Sequence, residues 1–346
     1  MNQTILNKIA VRVFISLSLL CTTLLSSAYA ANNDVLQCAS QPDNSERLEC
    51  YDALNAGRKL PPVAQPVAVT RSYLTRSWDL DNRDDELLGE HQSPLKPHRV
   101  SYLIVRKTSE INRQPYSPTH APFTLLENID LTELKFQYSQ KAKVLNPVSL
   151  NFLGVSSFRL WGAYTQQSSW QAFNSGNSSP FRETIYEPEL IGTFSTNNRY
   201  GLKLINLGYV HQSNGRNAEL SRSWNRLYLQ SGWEVDKLSA LVRAWWRIPE
   251  TTAGDDNPDI EDYIGRAEIN LHWAPPYGDQ IVGLTLRNNL NLDQNRGFIQ
   301  LDWATPVKLN QSGKLHVQFT SGYGETLVDY NFRQTTLGLG ASFRDW

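Results

Sequence analysis

The chain has 346 residues, with 33 Lys and Arg against 34 Asp and Glu, so no basic excess points to nucleic acid. Mean hydropathy is −0.44, yet there are 10 Trp, 15 Tyr and 12 Phe. Beyond residues 1–30 no segment reaches the ~18–20 consecutive apolar residues of a membrane helix, which leaves a soluble fold or a β-barrel.

Residues 1–30 carry Lys8 and Arg12, an apolar run from Val13 to Leu25, and Ala28-Tyr29-Ala30. This is the pattern of a secretory signal peptide with a small-residue cleavage site. Its removal takes two of the 33 basic residues and none of the 34 acidic ones, for a net charge of −3. Cys38 and Cys50 then remain, and in an exported chain the expectation is one structural disulfide. Residues 31–97 read as a periplasmic extension. Asn44-Ser45-Glu46 gives a helix start, Leu60-Pro61-Pro62 opens a Pro-rich linker, and residues 70–97, with the acidic stretch Asp79–Glu86, read as loosely packed.

From residue 98 the pattern changes to short runs of period two. Leu134, Phe136 and Tyr138 alternate with Glu133, Lys135 and Gln137, and the spacing predicts strands near 99–107, 131–141, 156–167 and 182–195. The next two, 200–213 and 222–231, flank an Asn-Gly-containing loop and read as a β-hairpin. His211 and Ser213 continue the apolar row Ile205, Leu207, Tyr209, because side chains two apart share a face. A hairpin closing about residue 218 sets Asn225 directly across from His211, with Cβ atoms roughly 4.5–5.5 Å apart. A nucleophile, a base and an orienting amide thus meet on one patch. They do so on the apolar face.

Further strands are predicted near 237–247, 261–273, 280–288, 296–303, 313–322 and 335–343. The total of twelve is even, as a single-chain bacterial barrel needs when both termini lie in the periplasm. The fold class predicted is therefore all-β, a transmembrane antiparallel barrel of about twelve strands. A soluble β-sandwich rarely sets charges opposite apolar residues on nearly every strand. Inward Glu133, Lys135, Arg266 and Glu268, with His272 and His316, read as a polar lumen network. The run Asp255–Asp262 lacks EF-hand spacing and reads as a solvated loop.

At the hairpin a more specific likeness emerges. His211-Gln212-Ser213-Asn214-Gly215-Arg216 followed by Ser221-Arg222-Ser223-Trp224-Asn225-Arg226-Leu227-Tyr228 resembles the active-site signature of the outer-membrane phospholipase A family. Tyr164-Thr165-Gln166, Ser178-Ser179-Pro180-Phe181-Arg182, Asp255-Asp256-Asn257-Pro258-Asp259 and Ser321-Gly322-Tyr323-Gly324-Glu325 look similar too, so the likeness spans roughly residues 99–346. The resemblance implies Ser213 as nucleophile, His211 as base and Asn225 as its orienting group, the assignment that strand parity reaches independently. It also implies a calcium-dependent phospholipase A1/A2 with lysophospholipase activity, active in the outer membrane as a reversible homodimer. Calcium would be bound by the Ser221 hydroxyl and the Arg216 carbonyl, completed by Ser178 of the partner subunit. Gln166 matches a dimer-interface position and Asp256 a second calcium site, whose companion acid in some members is replaced here by Ala218, which cannot coordinate, with Glu219 adjacent.

A serine hydroxyl attacks an ester only when a neighbouring imidazole takes its proton. Asn225 can fix the imidazole tautomer but brings no charge, which suits an ester better than an amide. The Ser213 backbone N–H can serve the oxyanion. A lipid already abuts the outer wall of a barrel, so an outward site needs no pocket in the lumen. Two readings compete: a passive porin-like barrel, and a barrel that deacylates lipopolysaccharide.

Overall fold

The computed structural model describes residues 37–55, 71–82, 95–125, 128–196, 198, 200–216, 218–275, 279–307 and 310–343. The proposed signal peptide, the Pro-rich linker and the second half of the acidic stretch lie outside these residues. The chain divides into two units, residues 1–70 and 71–346. In the first, Asp43 opens a helix over Asn44–Asn55, accepting from the backbone N–H of Ser45 at 2.7 Å and Glu46 at 3.2 Å. Cys38 and Cys50 form a disulfide with Cα atoms 5.4 Å apart.

The second unit is a closed antiparallel barrel. After the two-residue β1 (Lys96–Pro97) come β2 (Ser101–Thr108), β3 (Thr132–Phe152), β4 (Val155–Trp170), β5 (Phe181–Thr196), β6 (Leu202–Ser213) and β7 (Ser223–Val235). They are followed by β8 (Leu238–Ile248), β9 (Ala267–Trp273), β10 (Ile281–Asn288), β11 (Gly297–Val307), β12 (Asn310–Gly322) and β13 (Gln334–Phe343). From β2 on, each strand pairs with its sequence neighbours. The ring closes where β13 meets β2, Thr336 opposite Thr108 and Phe343 opposite Ser101. Closure leaves no unpaired long edge.

The burial of side chains is inverted relative to a water-soluble protein. Leu103, Val105, Leu190, Leu207, Leu301, Phe319 and Leu339 are exposed on the outer wall, while Arg106, Glu133, Lys135, Asp302 and His316 are buried inside. The lumen charges are matched in pairs. Lys135 Nζ donates to Glu325 at 2.7 Å, Arg106 Nε to Glu133 at 3.0 Å, and Arg182 Nη1 to Asp329 at 2.5 Å. Such a wall suits lipid, where every backbone polar group must be satisfied within the sheet.

The register departs from the predicted one at three places. The strand expected from 261 starts at Ala267, because Ile260–Tyr263 is a helical turn. β3 runs on to Phe152, paired along its length with β4, past the expected end near 141. Arg266 sits half-buried at the rim, away from the lumen pairs, 3.9 Å from Glu261 and 3.7 Å from Asp262. It stands just before β9 at the barrel mouth, where its Nη1 donates to the Asn289 carbonyl at 3.2 Å. Glu268, by contrast, faces inward and accepts from Asn270 Nδ2 at 2.7 Å, and His316 Nε2 lies 2.9 Å from Asp302.

Residues 71–82 are not loosely packed. The turn of helix Tyr73–Trp78 enters the periplasmic end of the barrel, with Leu74 and Trp78 in a core that includes Trp161. Lys141 Nζ sits 3.5 Å above the Trp78 ring, Tyr73 stacks on His272 at 3.9 Å, and Leu74 N donates to Glu234 Oε1 at 3.1 Å. Asp79, with no solvent exposure, lies 2.6 Å from Lys143 and 2.9 Å from Arg71. The partners of this segment, Lys141, Lys143, Trp161, Glu234 and His272, lie on strands distant in sequence, which no local pattern connects to it. Trp78→Ala is expected to lower folding free energy by about 3–5 kcal/mol. Denaturant titration in lipid vesicles checks this, and an unchanged midpoint would mean the plug adds no stability.

Candidate active site

The hairpin β6–β7 sets the site by its register. His211 pairs with Asn225 and Ser213 with Ser223. His211 Nδ1 lies 2.9 Å from Asn225 Oδ1. Tyr209, one step down the same face, donates its hydroxyl to the same oxygen at 2.7 Å. The other end of the carboxamide is also engaged: Asn225 Nδ2 donates to Glu250 Oε1 at 3.1 Å. With Nδ1 occupied, Nε2 is the ring nitrogen available to a serine hydroxyl. Ser213 stands two residues on along the same strand face, and among the described residues no hydrogen bond links its Oγ to His211. Catalytic hydrogen bonds of this kind are often long until substrate arrives.

The loop after Ser213 is held by Asn214, buried although its neighbours are not. Asn214 Nδ2 donates to Glu183 Oε1 at 3.0 Å and to the Leu220 carbonyl at 2.8 Å. Its Oδ1 accepts from the backbone N–H of Arg222 at 3.0 Å and of Arg216 at 3.2 Å. Gly215 has φ +61, and a Cβ there would stand 3.0 Å from the Tyr186 ring, so only glycine makes this turn without strain. The Arg216 guanidinium reaches back to the carbonyls of Phe181 at 3.0 Å and Arg182 at 2.8 Å. This ties the loop to the start of β5.

Ser221 Oγ donates to Asp256 Oδ2 at 2.5 Å. Asp256, assigned by resemblance to a second metal site, therefore touches the serine assigned to the first. The acidic run is no solvated loop. Arg247 holds Asp255 at 2.6 Å, Tyr330 donates to Asp259, and Ser117 Oγ and Thr119 Oγ1 from the β2–β3 loop donate to the carbonyls of Asp256 and Asp255 at 2.7 and 2.9 Å. His120 Nε2 lies 3.6 Å from Asp256 Oδ1. Among the described residues no group of three or more His, Cys, Asp or Glu forms a metal cage. The Ser221 hydroxyl and the Asp256 carboxylate, in contact, are hard oxygen donors of the kind calcium prefers. Ser178 lies in the β4–β5 loop with φ 60. Within one chain no hydrogen bond joins it to Ser221 or Arg216 among the described residues.

A polar row crosses the lipid-facing wall. Gln166 pairs with Tyr138 on β3 and with Tyr186 on β5, and Tyr186 pairs with Ser213. Tyr164 Oη donates to Gln166 at 3.1 Å. A lumen cavity of about 250 Å³ is lined in part by Arg99, Lys135, Glu187, Arg243 and Glu268.

The phospholipase A1 sequence profile matches residues 74–343. The chain belongs to the phospholipase A1 family. It is a carboxylic ester hydrolase built as an outer-membrane barrel. It is 38% identical to phospholipase A1 of Escherichia coli strain K12 over 264 residues, 75% of this chain and 85% of the relative. Its barrel matches the outer membrane phospholipase A structure from Escherichia coli with TM-score 0.61 and 36% identity, covering 72% of this chain and 98% of the other. The Salmonella typhi outer membrane phospholipase, solved as a dimer with bound calcium, matches with TM-score 0.63 and 35% identity over 76% of this chain and 96% of the other.

Tyr209, Asn214 and Glu250 escaped the sequence reading. Tyr209 and Glu250 share outward parity with the triad candidates, so the signal was present. Asn214 lies on the opposite parity, and only the folded loop reveals its four partners. In this phospholipase A1 relative, Asn214→Ala is expected to cost roughly tenfold or more in esterase rate, because it orphans buried groups worth about 1–3 kcal/mol each. Faster proteolysis within residues 214–222, with the barrel still folded, would trace the loss to the loop.

Proposed function

We propose that this chain removes acyl chains from glycerophospholipids, at both ester positions and from lysophospholipids, by a Ser213–His211–Asn225 triad on the outer barrel wall. The observation that carries the reading is the 2.9 Å contact of His211 Nδ1 with Asn225 Oδ1, two residues from Ser213 on a lipid-facing strand.

Ser213 Oγ attacks the acyl carbonyl carbon while His211 Nε2 takes its proton. The tetrahedral oxyanion faces the Ser213 backbone N–H, and each donor of that kind is worth about 2.7–4 kcal/mol. Collapse breaks the ester C–O bond, and the imidazolium returns the proton to the departing glycerol oxygen. Water then enters by the same route: His211 takes its proton, the acyl–serine bond breaks, and fatty acid leaves with Ser213 restored. Asn225 holds the imidazole with its proton on Nδ1 throughout. Ser221 and Arg216, with Ser178 of the partner subunit, would hold calcium; Asp256 stands beside them. Bound calcium supplies positive potential for the oxyanion. The calcium-bound dimer solved for the Salmonella typhi protein supports this part of the reading.

Dimerisation through the wall that carries Gln166 would place two outer surfaces face to face and form the acyl groove between them. Phospholipid reaching the outer leaflet would then be both substrate and trigger for assembly.

Ser213→Ala is expected to abolish fatty-acid release from detergent-dispersed phosphatidylethanolamine, a loss of roughly 10³-fold or more. Chelation should silence the wild type reversibly, and activity that survives it would remove calcium from the scheme. A Gln166→Cys dimer locked by oxidation should exceed the dilute reduced protein in rate, and equal rates would sink the dimer control.

A further inference from the structure

We propose that Glu250 is a positioning residue of the hydrolytic site, locking the Asn225 carboxamide so that His211 presents an unprotonated Nε2 to Ser213. The proposal rests on the triad reading above. A carboxamide has nearly the same shape when its oxygen and nitrogen exchange places, so its neighbours decide which way it points. Neither His211 nor Tyr209 decides it alone, because an imidazole nitrogen or a phenol can donate or accept. An ionised carboxylate can only accept. Glu250 Oε1, 3.1 Å from Asn225, therefore requires Nδ2 on its side. Oδ1 must then face His211 at 2.9 Å and Tyr209 Oη at 2.7 Å, so both of those groups donate. His211 carries its proton on Nδ1, and the lone pair left on Nε2 is the one a serine proton needs.

The placement of Glu250 follows from the ladder. Asn225 pairs with Ile248, the last residue of β8. Trp246, Ile248 and Glu250 share outward parity, so Glu250 is the diagonal neighbour of Asn225, within reach of a long side chain. Pro249 cannot extend the ladder with an N–H. The carboxylate has few other claims on it. The Arg247 guanidinium nearby is held by Asp255 at 2.6 Å. Burial pushes the Glu250 carboxyl up from its ordinary value, opposed by the Asn225 hydrogen bond and Arg247, and reinforced by Asp255 and Asp256. A carboxyl raised in this way gains its proton sooner as pH falls. Its claim on the amide hydrogen then weakens, so the lock is in force above that pH and is lost below it.

The arrangement also supplies what an asparagine triad lacks. A hydrogen bond to an ionised acceptor is roughly twice as strong as a neutral one. It polarises the amide and sets a negative charge behind the imidazolium that forms during catalysis.

The test compares wild type, Glu250→Ala, Glu250→Gln and Ser213→Ala as full-length protein in calcium-containing detergent, with phosphatidylethanolamine as substrate. Folding is monitored by the heat-modifiable gel shift of the barrel. Glu250→Ala is expected to lose roughly tenfold in kcat with little change in KM, as misplaced catalytic groups do. Glu250→Gln keeps an acceptor but can also donate, so it relaxes the lock and should recover only part of kcat. Its acid limb should nevertheless move to lower pH by about 0.3–1 unit, the reach of one charge across ~8 Å near a surface. A folded Glu250→Ala with wild-type kcat and pH profile, beside an inactive Ser213→Ala, overturns the positioning role and leaves the triad standing. An active Ser213→Ala overturns the triad reading and this proposal with it.

Discussion

Closure of the backbone ladder is the constraint from which the rest of this protein follows. In lipid an unpaired N–H or C=O has no water to turn to, so the twelve long strands must join β13 to β2 and leave no open edge. A closed ring of alternating side chains then has one face for hydrocarbon and one for everything else. The charges of Arg106, Glu133, Lys135, Arg182, Glu325 and Asp329 go inward, where they sit in contact as opposite pairs. Removing one member would strand its partner, which is why these residues act as a set.

The same parity makes a polar site on the outer wall conspicuous. His211, Ser213 and Asn225 occupy positions that would otherwise carry leucine, as Leu207 and Leu227 do on the same two strands. Strands suit such a site, because the ladder fixes backbone positions more tightly than a loop can. The adjoining loops complete it from the extracellular end: Asn214 staples the turn after Ser213, and the Asp255–Asp259 stretch is drawn in by Ser117, Thr119, Ser221 and Tyr330.

An asparagine at the orienting position trades charge for neutrality on a face that meets lipid. An aspartate there would stand ionised beside hydrocarbon, which is costly. Setting a carboxylate one step further out, at Glu250 near the rim, keeps the charge closer to water while its influence passes through the amide.

Much of this was legible in the residues themselves. Period-two alternation identified most strands, and it placed His211, Ser213 and Asn225 on one outward patch, because strand parity is a local property that needs no knowledge of distant contacts. What failed was whatever depends on residues far apart in the chain. The turn Ile260–Tyr263 carries apolar residues that fit either period, and its packing against the barrel mouth settles it as a helix. Residues 71–82 read as loosely packed, and only Trp161, Lys141 and His272 make them a plug. The sequence by itself determined the barrel, its facing and which polar residues meet on its outer wall. The tertiary structure decided which loops close over that chemistry, and that Asn225 is gripped from both ends, since those contacts join strands and loops that no local pattern connects.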